Sequence, residues 1–129
     1  MTKFIASLLL ACSFTSTAGC WTVEGMHGST YAERDKYARE DDGFSGKFTI
    51  LVNGKTAAVL YDGVDAGGMI YQPLSDHVVI GLSTVPDKHA METWVIQNDG
   101  KVLMTKTISG FNGFDSAKAM VGKVTGSCN

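Results

Sequence analysis

The sequence predicts an all-β domain, a small antiparallel barrel or sandwich of about seven short strands. Three observations carry that expectation. Gly occurs 15 times and Pro only 2 times, a balance that suits tight turns between short strands. From Lys47 onward apolar and polar residues alternate, the period-two pattern of half-buried strands. Pairs of these runs meet at Asn53-Gly54 and at Asp99-Gly100, dipeptides that mark hairpin turns because both positions tolerate positive φ.

With 129 residues, 44% hydrophobic and 19% charged, the chain has the composition of one globular domain. A first strand is expected at Cys20-Trp21-Thr22-Val23, with Trp21 and Val23 on one face. Residues 25–46 are polar. There Thr30 and Glu33 have capping-box spacing, and Asp35/Arg39 and Lys36/Glu40 are opposite charges four apart. Residues 31–40 therefore allow one short surface helix, with a long charged loop as the alternative. Phe48, Ile50 and Val52 share the inner face of the next strand, which turns at Asn53-Gly54 into a partner over residues 55–61. A two-residue turn there sets Ile50 opposite Ala57 and Phe48 opposite Val59. After the Gly-rich stretch 62–68, Met69-Ile70-Tyr71-Gln72 reads as a short strand and residues 73–76 as a turn. The most apolar strand spans 77–83, with Val78, Ile80 and Leu82 expected to point inward. Residues 91–97 and 101–108 make the second hairpin, with Ile96 opposite Leu103 and Trp94 opposite Thr105. Residues 116–128 could open as a helix, but Val121, Val124 and the glycines at 122 and 126 favour a strand beside the first one.

The amino terminus reads as an address. Lys3 precedes the apolar run Phe4-Ile5-Ala6-Ser7-Leu8-Leu9-Leu10-Ala11, the order of an export signal. The run is shorter than the roughly 20 apolar residues that span a bilayer. Leu9-Leu10-Ala11-Cys12 resembles the lipobox of bacterial lipoproteins. That resemblance implies cleavage before Cys12 and acylation of its thiol. It divides the chain into a signal peptide (1–11), a lipidated tether (12–19) and a single β domain (20–129). Ser13 after the acylated residue goes, in that class, with the outer membrane, facing the periplasm or the surface. Two alternatives stay open: a plain secretory cut after Ala18, giving a soluble exported protein, and Cys20 as the acylated residue within Thr17-Ala18-Gly19-Cys20. The chain has 3 cysteines. If Cys12 carries lipid, or is removed by a cut after Ala18, Cys20 and Cys128 remain as a pair in an oxidising compartment. The β domain is then closed at its ends by a disulfide.

The formal charge of −2 lacks the basic excess that nucleic acid requires, so no nucleic-acid partner is expected. No G-x-S-x-G elbow, phosphate loop or dinucleotide fingerprint occurs. The expected function is a non-catalytic binding module of the cell envelope, with no cofactor. Its expected partners are the membrane, through the lipid, and an envelope protein or glycan. The alternatives are an inhibitor of an enzyme such as lysozyme and a periplasmic metal-binding protein. For the latter, His89 and Met91 share a strand face, and imidazole with thioether suits Cu(I). Met26, His27 and Met104 could complete such a set, although Met more often fills a core. Asp62 and Asp65 lie in a Gly-rich loop but lack the spacing of an EF-hand, so a solvated turn is the stronger reading. Glu40-Asp41-Asp42 reads as a solvated loop or a dock for a basic surface. Trp21 and Trp94 are assigned to the core.

Overall fold

The computed structural model describes residues 18–66 and 68–128. The expected signal peptide (1–11), Cys12 and the rest of the expected tether up to residue 17 lie outside the described residues.

The described residues form a single antiparallel sheet of ten strands. They are β1 (Ala18–Ala32), β2 (Arg39–Gly43), β3 (Phe48–Asn53), β4 (Thr56–Tyr61) and β5 (Val64–Asp65), then β6 (Ile70–Ser75), β7 (Val78–Val85), β8 (Lys88–Ile96), β9 (Lys101–Ser109) and β10 (Ser116–Ser127). Two of the ten, β2 and the two-residue β5, lie outside the expected strands and carry no alternating apolar signal. The order is β5-β4-β3-β1-β10-β9-β8-β7-β6, with β2 also paired to β1. The sheet curls into a half-barrel, and β6 comes back beside β4 without a ladder between them among the described residues.

Strand β1 is the spine. It pairs with β3 through Ala18–Val23, with β2 through His27–Tyr31, and with β10 along most of its length. Its direction changes at a bulge between Glu24 and His27, where Gly25 has φ 69°. The C-terminal segment is the strand β10 and lies beside β1. Just past its end, Cys128 is disulfide-bonded to Cys20, with Cα atoms 5.2 Å apart, and its N–H donates to the Cys20 carbonyl. The bridge joins both ends of the described sheet.

Val23, Phe48, Ile50, Val52, Val59, Trp94, Ile96 and Val102 form the core on the concave side. Three sequence expectations change here. The helix allowed over residues 31–40 reduces to one 3-10 turn at Glu33–Asp35 between β1 and β2, with Lys36 and Tyr37 in left-handed conformations that no α-helix accommodates. The first hairpin pairs Ile50 with Val59 and Phe48 with Tyr61. Asn53 pairs with Thr56 inside the ladder, so Gly54-Lys55 makes the turn, with positive φ at its first position as in type II′. The second hairpin pairs Ile96 with Val102 and Trp94 with Met104. Its loop holds three residues, Asn98-Asp99-Gly100, closed by Gln97 N–H to the Lys101 carbonyl with Gly100 at φ 88°. The extra residue turns Leu103 and Thr105 outward.

Strand β7 is also flipped relative to expectation. Val79 and Gly81 face the interior, while Val78, Ile80 and Leu82 face out. The cause is Tyr71 on β6, whose ring lies over Gly81: a Cβ added there would sit 2.6 Å from the ring. Val79 in turn pairs with Trp94, the largest fully buried side chain. A register step of one residue exchanges the two faces of a strand. Here it leaves the larger aliphatic side chains outside.

Candidate functional site

The polar feature that stands out is inside the sheet, near the end away from the bridge. Strand β8 alternates Ala90, Glu92, Trp94 and Ile96 inward with Met91, Thr93 and Val95 outward. That alternation buries a carboxylate: Glu92 is 5% exposed. A buried charge needs hydrogen bonds and a counterion. Glu92 has both. Its Oε1 accepts from the Tyr71 hydroxyl at 3.0 Å and from the indole Nε1–H of Trp94, and its Oε2 faces Lys106 Nζ at 3.3 Å. Burial, reinforced by the neighbouring Glu92 charge, pushes the Tyr71 hydroxyl far above its usual pKa. Tyr71 therefore stays a donor.

The register extends this row across the sheet. Glu92 on β8 pairs with Lys106 on β9, Lys106 with Lys118 on β10, and Lys118 with Thr30 on β1. Lys118 Nζ lies 3.1 Å from Asp42 Oδ2, which also accepts from the Thr30 hydroxyl at 2.6 Å. The Thr30 hydroxyl, followed by the Lys118 ammonium, holds the Asp42 carboxyl below the usual carboxylate range despite partial burial. Lys118 also lies over the Phe44 ring, 5.5 Å from its centroid, within cation–π range.

Aromatic rings wall the space beneath. Phe48 packs against Phe44, Tyr61 and Trp94 with ring centroids 5.1, 4.8 and 4.9 Å away, separations typical of tilted and edge-on pairs. Phe44, Phe48, Tyr61, Trp94, Glu92 and Lys106, with Ala66 and Met104, line a cavity of about 120 Å³. A larger concavity of about 610 Å³ is lined by His27, Lys101 and Val121 among others. It is more open to solvent than the inner pocket, and the Lys101 ammonium beside it already pairs with Asp99. The inner pocket is the better candidate because it joins apolar walls to a few convergent polar groups.

The residues singled out in the sequence fall elsewhere. Cys20 and Cys128 are joined, and Cys12 is outside the described residues. His89 and Met91 share the outer face of β8, both exposed, whereas Met26 and Met104 are buried in the core. The sheet stands between them, so these side chains do not converge. No group of three His, Cys, Asp or Glu gathers among the described residues. Asp62 accepts from the Lys47 N–H across to the start of β3, and Asp65 accepts from the Gly68 N–H within its own turn. Glu40-Asp41-Asp42 lies in strand β2, where Asp41 pairs with Arg39 and Asp42 turns to Lys118. Trp94 is in the core as expected, and it also lines the pocket.

Glu92, Lys106 and Lys118 were not legible as a site. A signal for the first was present, because Glu92 is two residues before Trp94 and two residues apart on a strand means the same face. Lys106 has the same relation to Met104. No protein-family model matches the chain, and no curated protein matches it in sequence.

Proposed function

We propose that this chain is an exported bacterial lipoprotein, anchored through Cys12, whose β domain acts as a non-catalytic binding module in the cell envelope. The Cys20–Cys128 bridge carries the reading. Disulfides form and persist in oxidising compartments outside the cytosol, and this one ties the first strand of the domain to the last. With Cys20 engaged in the bridge, Cys12 is the thiol left to take lipid. The polar row supports binding over catalysis: both Glu92 oxygens and Asp42 Oδ2 are engaged by neighbours in stable pairs. A group held that way is a positioned structural charge rather than a poised acid or base. The partner is an envelope protein, a glycan or a small molecule of that compartment, met at the mouth of the half-barrel.

The test is fractionation of cells expressing the full chain. The wild-type protein is expected with the membranes and Cys12→Ser in the soluble exported fraction. A Cys12→Ser protein that stays with the membranes would sink the anchor.

A further inference from the structure

At the open end of this pocket the unused hydrogen-bonding capacity is mostly that of donors. Glu92 Oε1 accepts from two donors and Oε2 faces Lys106. Asp42 Oδ2 accepts from Thr30 and Lys118, and its Oδ1 from the Gly43 N–H. The lysines are different, since an ammonium carries three donors. Among the described residues, one carboxylate faces each of them. They also stand directly opposite one another in the β9–β10 ladder, an arrangement that like charges disfavour. Both side chains are partly open to solvent, at 26% and 18%. Lys106 lines the aromatic-walled cavity, and Lys118 lies over its Phe44 wall.

We infer that the mouth pocket binds a small apolar carboxylate, an aromatic or branched-chain acid, with its carboxylate between Lys106 and Lys118 and its body against Phe44, Phe48, Tyr61 and Trp94. This rests on the reading of the domain as a binding module and names the ligand class for it. A carboxylate between the ammoniums takes up donors that Glu92 and Asp42 leave unused. An ammonium ligand would meet two like charges and carboxylates already engaged. Size sets the other limit. The cavity of about 120 Å³ is close to the roughly 150 Å³ engineered cavity that accepts benzene, so the body amounts to about one ring.

The experiment uses the full chain purified in detergent, with Trp21→Phe so that Trp94 is the remaining tryptophan of the 2 in the sequence. Its fluorescence is followed while benzoate, benzylammonium or benzyl alcohol is added. Benzoate is expected to give a saturable change, and benzylammonium none. Lys118→Met and Lys106→Met should each weaken benzoate binding roughly tenfold, as expected for loss of one charge-assisted hydrogen bond. If Lys106→Met does not fold, Lys118→Met alone decides, because Asp42 keeps its Thr30 partner. Equal or tighter binding of benzylammonium or benzyl alcohol overturns the carboxylate class but leaves a binding pocket. No response to any of the three, from protein with an unchanged β spectrum, overturns the pocket as a site. The anchor then still stands or falls by the Cys12 fractionation.

Discussion

Lys106 and Lys118 face each other across the β9–β10 pair, and each turns away to its own carboxylate, Glu92 at 3.3 Å and Asp42 at 3.1 Å. The two ion pairs are unequal. Glu92 is buried with almost no water, whereas Asp42 retains about a third of its side-chain exposure. Removing one member of a buried pair strands the other charge.

Lys106→Met is therefore expected to cost about 3 kcal/mol, read as a shift in the urea midpoint, and Lys118→Met less than about 1 kcal/mol. Replacing Glu92 and Lys106 together with Met should recover part of the loss. It should not recover all, because the Trp94 N–H and Tyr71 O–H are left without their acceptor. Equal costs for the two lysines would contradict this ranking.

Acid should act through Asp42. Its carboxyl titrates lower in the folded chain than in the unfolded one, chiefly through the Thr30 hydroxyl. A depressed value stabilises the fold above the unfolded pKa, and that contribution is lost as pH falls through the folded value. Stability of the wild type should thus fall between about pH 5 and pH 2 more steeply than that of Asp42→Asn, which cannot titrate there. Parallel acid limbs for the two proteins would remove Asp42 from the account.

The strand assignments allow a direct comparison of neighbouring residues. Met104 is 3% exposed on the concave face and Leu103 faces out. Met104→Ala should cost about 2–5 kcal/mol, as large-to-small core changes do, and Leu103→Ala clearly less. The reverse order would restore the register expected from a two-residue turn at Asp99-Gly100.

That comparison marks where the sequence was and was not readable. The existence and type of most elements followed from local patterns: alternation around Phe48, Ile50 and Val52, glycine at the turns, and valines in the last segment; β2, β5 and the 3-10 turn at Glu33–Asp35 did not. Register did not, because a loop of two residues or three is decided by how Gln97 and Lys101 close it. One residue there reassigns Leu103 and Met104 to opposite faces. Strand β7 shows the same limit in another form. Val78, Ile80 and Leu82 look like a core face by hydrophobicity, yet the space opposite is taken by the Tyr71 ring above Gly81. The pocket was hidden for a related reason. Glu92, Lys106, Lys118 and Asp42 come from four strands, and only the ladder brings them into contact.

The bridge closes a separation of 108 residues. In the chain-entropy account, a loop of that size stabilises by about 4–5 kcal/mol. Cys128→Ser, or reduction of the wild type, should lower the denaturant midpoint by the equivalent of several kcal/mol. A midpoint unchanged by reductant would mean that the ends are held by the β1–β10 ladder alone.

The most direct measurement is the intact mass of the mature protein extracted from membranes, with and without reduction. The account predicts residues 12–129 plus acyl groups, with a gain of about two hydrogens on reduction from the single bridge. An unmodified chain starting at Gly19, or a mass that reduction leaves unchanged, would contradict it.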